Sequence, residues 1–119
     1  MRVQVLSFTS GPDSVGDVFD PAGVEVPEGV AYVFYENRET PESVLGTATL
    51  EKTSDGVWAV ITPVPGREWE LKACYPSVTG VLSGGSGSLI TKAVIKSVGV
   101  SHFRNADRTI KRIGEQIGS

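Results

Sequence analysis

The sequence predicts a single small domain over residues 1–119 that is mostly β with short helices (α+β) and ends in a C-terminal helix. Three observations predict this fold class. A chain of 119 residues suits one domain and can bury a core without disulfide or metal staples. Hydrophobic residues make up 39% and charged residues 21%, which is typical of a globular chain. The 14 glycines and 7 prolines favour short strands separated by many turns.

The N-terminal half is predicted to alternate between strands and loops. Apolar and polar side chains alternate over residues 1–8, which predicts a first strand. Glycine and proline interrupt residues 9–17, which we expect to form a loop, and residues 24–26 predict a short extended segment. Val30–Tyr35 is rich in β-branched and aromatic residues and is expected to be a buried strand. Residues 36–43 are polar and contain a proline, as in an exposed loop.

The strongest local signal in the chain is a β-hairpin. Val44–Lys52 and residues 57–62 both carry the pattern of a strand, and the Asp55-Gly56 step lies between them. An Asp-Gly pair readily adopts the positive φ angles that a tight hairpin turn needs. We therefore expect these two segments to pair as antiparallel neighbours.

The C-terminal half is predicted to begin with a short helix over residues 67–74, which contain no helix breaker. Residues 77–82 are predicted to be extended. The glycine and serine residues of 83–88 suit a flexible loop at a hairpin tip. Residues 89–100 form a long β-rich stretch that we expect to be a strand.

Helical periodicity replaces strand periodicity in the C-terminal tail. Apolar residues recur there at helical spacing: Ala106, Ile110, Ile113 and Ile117. Asn105 is expected to cap the start of this helix and Gly118 to end it. The predicted helix spans about residues 105–118, with its isoleucines packed against the domain or docked on a partner.

Charge and cysteine content exclude several classes of protein. The net charge of −3 disfavours nucleic acid as a partner, because nucleic-acid binders carry basic surfaces. Cys74 is the only cysteine, so no internal disulfide is expected. No apolar stretch approaches the length of a membrane span, and the N-terminus lacks the pattern of a signal peptide. The expected compartment is the cytosol or a particle assembled there.

The residues that most often carry chemistry stand far apart in the sequence. His102 is the only histidine, and we interpret it as a surface or packing residue, because a metal site needs three or four ligands. Cys74 has no evident base, since only His102 could serve as one, and is interpreted as a buried small hydrophobe. The residues therefore predict no metal and no cofactor.

Two loops resemble binding motifs only in part. Asp13, Asp17 and Asp20 are spaced loosely like a calcium loop but lack its terminal glutamate, so we interpret them as solvated turn carboxylates. The glycine-rich residues 84–87 are not followed by the Lys-Ser/Thr pair of a phosphate-binding loop. This loop is interpreted as a connection between strands.

Several phrases of the sequence resemble one family when they are taken in order. They are residues 17–23 (DVFDPAG), 44–48 (VLGTA), 55–59 (DGVWA), 73–80 (ACYPSVTG), 90–93 (ITKA), 97–100 (SVGV) and 105–106 (NA). Together they resemble the prohead (capsid-maturation) proteases of tailed phages, which share a fold with herpesvirus assemblin. The resemblance covers about residues 13–106 and implies a small antiparallel β-barrel or sandwich.

The resemblance also implies positions for a catalytic serine, a histidine base and a third polar residue. Ser77 matches the serine. The base is expected after the strand that ends at Tyr35, where this chain has Tyr-Glu-Asn over residues 35–37 and no histidine. Lys96 or Ser97 holds the third position, where the family often has an acid. Without a base the Ser77 hydroxyl keeps its high pKa and is a poor nucleophile.

The leading hypothesis is therefore a non-enzymatic phage protein: a capsid decoration or minor head protein that binds and stabilises the major capsid shell. Its expected partners are the major capsid protein and further copies of itself, with no nucleic acid and no membrane. Its expected location is the virion, assembled in the host cytoplasm. One alternative is a prohead maturation serine protease using Ser77, with His102 as a substitute base. A further alternative is a general interaction module of a bacterial host.

Overall fold

Nine strands and two short α-helices make up the described part of this computed structural model, which covers residues 1–8, 18–36, 38–83, 89–105 and 109–118. The strands are β1 (Arg2–Ser7), β2 (Val18–Phe19), β3 (Val24–Glu25), β4 (Val30–Tyr35), β5 (Val44–Lys52), β6 (Gly56–Pro63), β7 (Tyr75–Ser83), β8 (Leu89–Ile90) and β9 (Lys92–Ser101). The helices are α1 (Glu68–Lys72) and α2 (Ile113–Ile117), and single 3₁₀ turns cover Pro21–Gly23 and Pro41–Ser43. The predicted mostly β class with short helices is confirmed.

Seven of the strands form one sheet that curls into a half-barrel. The hydrogen-bonded order is β1-β6-β5-β4-β9. β7 pairs antiparallel along the whole of β9, and β3 and β4 pair with β9 in parallel. The sheet is therefore mixed, whereas the resemblance implied an antiparallel barrel or sandwich.

The predicted hairpin is confirmed, with β5 and β6 antiparallel from Gly46 opposite Pro63 to Lys52 opposite Val57. The carboxylate of Asp55 holds the turn, because it accepts hydrogen bonds from the Thr53 hydroxyl and from the Trp58 indole. These hydrogen bonds favour the ionised carboxylate, and they hold the pKa of Asp55 below its usual value.

The expectation that β4 is a buried strand is wrong in part. Ala31 and Val33 lie in the core, but Val30 is 67% and Tyr32 57% exposed. The sheet packs on the core with one face only, so alternate residues of β4 point outwards. The core side chains that are most completely buried are Leu45, Ile61, Leu71, Ile110, Ile113, Val3, Val5, Val24, Val33, Val57, Val98 and Val100.

The C-terminal helix is much shorter than predicted. It begins at Ile113 rather than near residue 105, because the Ile113 amide donates to the Cys74 carbonyl and docks the chain on the start of β7. Asn105 does not cap α2; its side-chain amide donates to the carbonyl of Pro76. Ile110 and Ile113 are buried as expected, and Gly118 ends the helix with φ 76°. Ala106 lies outside the described residues.

The short helix predicted over residues 67–74 is confirmed as α1, which buries Leu71 and leaves Trp69 exposed. The first strand is also confirmed, and it pairs with β6. Within the described part of the chain, neither helix has the length or the apolar run that crossing a membrane requires. The Cα radius of gyration is 13.5 Å, as expected for a compact globule of this length.

Candidate functional site

Ser77 lies on β7, opposite Gly99 of β9, and its hydroxyl donates a 3.2 Å hydrogen bond to the Gly99 carbonyl. It lines a groove with a volume of about 300 Å³, which we call the Ser77 groove. The lining residues are Val5, Phe19, Tyr75, Ser77, Val78, Ser101, Phe103, Arg104 and Asn105. Within the described part of the chain, this lining contains no imidazole and no carboxylate, so none of these side chains could take the Ser77 proton as a conventional general base.

His102 lines a different cavity, a cleft with a volume of about 250 Å³, which we call the aromatic cleft. Its lining residues are Tyr35, Glu42, Ser43, Arg67, Trp69, Glu70 and His102. The His102 ring meets the Tyr35 ring edge-on, at 5.8 Å between ring centroids. Among the described residues, the structure therefore places Ser77 and His102 in separate cavities.

The position that the resemblance assigns to the base holds Tyr35, Glu36 and Asn37, of which Asn37 lies outside the described residues. Tyr35 is the last residue of β4 and pairs with Val100, which pairs on its other side with Pro76. One strand thus separates Tyr35 from the segment that carries Ser77. Desolvation, followed by the charge of Glu36, raises the pKa of Tyr35. The phenol therefore keeps its proton at neutral pH and does not replace a histidine as base.

The third position also serves the sheet rather than the Ser77 hydroxyl. Ser97 is buried, and its hydroxyl is hydrogen-bonded to the hydroxyl of Thr79 across β7 and β9. Lys96 is exposed. Ser77, Thr79 and Ser97 thus use their hydroxyls to join β7 to β9, which is a common role of cross-strand pairs of hydroxyl residues.

Cys74 is buried, as predicted, with 1% of its surface exposed. Desolvation by burial is the main cause that raises the pKa of its thiol to about 11, and the charges of Glu70 and Glu36 add to the shift. Because the thiolate is the reactive form, this cysteine is inert at neutral pH. It acts as a small apolar side chain in the core.

The acidic residues that were interpreted as turn carboxylates have a local role where the structure describes them. Asp20 accepts a hydrogen bond from the Ala22 amide and caps the 3₁₀ turn at Pro21–Gly23. Asp13, Asp17 and residues 84–87 lie outside the described residues. Within the described ranges, no three His, Cys, Asp or Glu side chains are grouped closely enough to hold a metal ion.

One feature that the sequence analysis missed is an uncharged face on the outside of the half-barrel. We call it the outer face, and its members are Val30, Tyr32, Phe34, Thr47, Thr49, Val60 and Thr62. They stand in register, with Thr47 between Tyr32 and Thr62 and with Thr49 between Val30 and Val60. The sequence pattern did not show this face, because all six residues of Val30–Tyr35 are apolar or aromatic and the strand therefore resembled a fully buried one.

Charged residues close one end of the outer face. Arg2 and Glu51 form an ion pair at 2.6 Å, and the Arg2 guanidinium lies 4.3 Å from the centre of the Trp58 ring. Tyr32 and Phe34 lie against each other at 5.8 Å between ring centroids. The outer face therefore combines two aromatic rings, branched apolar side chains and neutral hydroxyls, next to a charged pair that is already neutralised.

Comparison with protein-family models, with curated proteins and with solved structures returned no match to this chain. The functional proposal consequently depends on the geometry described above and on the resemblance of the short phrases. Two of the phrases that carry the resemblance, residues 44–48 and 97–100, lie within β5 and β9.

Proposed function

We propose that this chain is a capsid decoration or minor head protein of a phage, which binds the major capsid shell and stabilises it by binding energy. Its fold would be a protease-like one that no longer uses Ser77 as a nucleophile. The observation that carries the proposal is the outer face, a registered set of uncharged side chains on one side of the sheet. The arrangement around Ser77 supports a binding role over a hydrolytic one.

The outer face has the composition of a contact surface. Val30 is 67%, Tyr32 57% and Val60 43% exposed; the first two lie on β4 and the third on β6, the two strands that flank β5. A contiguous exposed apolar patch on a small protein commonly marks a binding site. Tyrosine is also enriched among the residues that contribute most to protein interfaces.

The electrostatics of the outer face are compatible with tight contact. Its seven members carry no formal charge, and Arg2 and Glu51 beside it already neutralise each other at 2.6 Å. Covering the face would therefore not bury an unpaired charge, which is a large cost when it occurs. A shell protein with a flat, weakly charged surface is the partner that this chemistry fits.

A shell offers many identical sites, so a modest affinity per site is enough for function. A protein that binds only the assembled shell shifts the equilibrium towards it by mass action. Copies bound to neighbouring subunits would come close to one another, in keeping with the expected self-contact. The location proposed for the chain is accordingly the virion.

A binding experiment on heads tests the proposal. Heads of the phage or prophage that encodes the chain are mixed with the recombinant protein and sedimented, and bound protein is quantified. We expect saturable binding at many copies per head. Val30→Lys should weaken binding about ten-fold or more, because the contact would cover an unpaired ammonium group.

Val81→Lys is the matched control, because Val81 is also an exposed valine but lies on β7 outside the outer face. It should bind like the wild type. Mass spectrometry of heads from infected or induced cells provides an independent readout of copy number. Absence of the chain from such heads, together with no binding in vitro, would contradict the proposal.

A further inference from the structure

The aromatic cleft combines aromatic rings with charged side chains, and neither the fold nor the proposed function explains it. The end of a strand, a 3₁₀ turn, a helix and a loop build it. Tyr35 ends β4, Glu42 and Ser43 lie in a 3₁₀ turn, Arg67 to Glu70 surround the start of α1, and His102 follows β9. Among the described residues, its lining shares no member with the outer face.

The cleft has one carboxylate more than its cations neutralise. Arg67 donates from Nε and from Nη2 to the same oxygen of Glu70, at 3.0 Å and 2.6 Å. This pair is therefore satisfied within the protein. Glu42 is exposed and forms no ion pair with any of the described residues. The cleft consequently attracts a positive charge and offers a carboxylate to hold it.

Aromatic rings supply the second half of a cation site. Trp69 lies on α1, a helix of five residues, and is 70% exposed. A large apolar side chain gains little free energy by facing water. Tyr35 and His102 meet nearly at right angles, with 70° between their planes. Cations bind favourably over the faces of tryptophan and tyrosine rings, and tryptophan is the strongest such partner.

We propose that the aromatic cleft binds the cationic side chain of a partner protein, an arginine or a lysine, between its rings and the carboxylate of Glu42. An anion is a poor alternative, because the guanidinium of Arg67 is already occupied by Glu70. The inference goes beyond the proposed function: it concerns a different surface and does not require that the partner be a capsid protein.

An NMR titration of the intact chain tests this site, with N-acetylargininamide and N-acetyllysinamide as probes. N-acetylcitrullinamide is the matched neutral control, because citrulline has nearly the shape of arginine without its charge. The two indole N–H signals report separately on Trp69 in the cleft and on Trp58, whose N–H donates to Asp55. We expect the Trp69 signal to move saturably, with a Kd on the order of millimolar, and the Trp58 signal to move less.

Variants assign the binding to the cleft. Trp69→Ala removes the indole reporter, so its binding is followed through the backbone amide signals of Tyr35 and His102. It should weaken binding of the cationic probes about ten-fold, and Glu42→Gln about three-fold or more. Both side chains are exposed, so neither change should affect folding. Glu39→Gln removes the same charge from an exposed residue that does not line the cleft, and it should bind the probes like the wild type.

Three results would overturn the inference. The first is an equal response to the citrulline and arginine probes, and the second is an equal effect of Glu42→Gln and Glu39→Gln. The third is a Trp69 signal that responds to N-acetylglucosamine and not to the cations, which would make the cleft a carbohydrate site. A stronger response to arginine than to lysine, or the reverse, would support the inference and identify the side chain.

Discussion

The side-chain amide of Gln116 hydrogen-bonds with both backbone groups of Gln4, 112 residues earlier in the chain. Its oxygen accepts from the Gln4 amide at 2.7 Å, and its nitrogen donates to the Gln4 carbonyl at 3.0 Å. The same nitrogen donates to the Lys111 carbonyl at 2.9 Å. β1 lies at the end of the strand order and is an edge strand, whose unpaired backbone groups can pair with another chain. One side chain of α2 therefore supplies hydrogen-bond partners to this edge strand.

Replacing Gln116 with leucine should lower the free energy of unfolding by about 1–3 kcal/mol, because part-buried backbone groups of Gln4 would lose their partners. Urea denaturation followed by tryptophan fluorescence measures the change. Glu115→Gln is the control, since Glu115 forms only an exposed pair with Arg112 at 3.5 Å, and it should cost less than about 0.5 kcal/mol. Equal effects of the two changes would contradict the assigned role of Gln116.

A methyl group at Gly80 should destabilise the fold by more than about 2 kcal/mol, because it would overlap backbone that cannot move freely. A Cβ built there lies 1.9 Å from the carbonyl oxygen of Val94, next to the irregularity between β7 and β9. Gly29→Ala is the matched control, since a Cβ at Gly29 meets nothing within 4 Å. It should leave stability unchanged or raise it by about 0.4–1 kcal/mol. Thermal unfolding of both variants measures the difference.

Stability should fall as the pH rises from about 9 towards about 11, and Cys74 should account for part of that fall. The ordinary thiol pKa of 9.0 is raised to about 11 in the fold, so the unfolded chain releases this proton first. The contribution of the Cys74 thiol to the free energy of unfolding is complete below about pH 9 and is lost as the pH rises through the folded pKa.

Urea midpoints of the wild type and of Cys74→Ala, measured between pH 8 and pH 11, test this expectation. The urea midpoint of the variant should fall less steeply with rising pH than that of the wild type. Tyr35, whose pKa is also raised, should contribute a remaining slope in the same direction. Parallel curves for the two proteins would show that the thiol stays accessible to solvent.

Ser77 should not react with a fluorophosphonate probe, which labels activated serines, because its groove contains no imidazole and its hydroxyl donates to Gly99. Intact mass spectrometry after incubation measures labelling, and an active serine hydrolase serves as the positive control. An adduct on Ser77 that disappears in Ser77→Ala would favour the maturation protease instead.

Local chemistry determined the elements that could be predicted from the sequence. The hairpin of β5 and β6 is held by a turn whose partners, Thr53, Asp55 and Trp58, lie within a few residues of one another. Gly118 ends its helix because its φ of 76° suits a residue without a Cβ. Burial of Cys74 followed equally from its type, since free cysteine behaves as a small hydrophobe.

The other features depend on tertiary contacts, whose free energy comes from residues that are distant in the chain. Helical spacing in the tail predicted a helix from residue 105, but docking of Ile113 on Cys74 delays its start. Val30 and Tyr32 favour a strand whether or not another part of the protein covers them. They are exposed because the sheet packs on the core with only one face. The sequence by itself thus determined a mostly β chain with one certain hairpin, and the tertiary structure decided that Ser77 and His102 lie in different cavities.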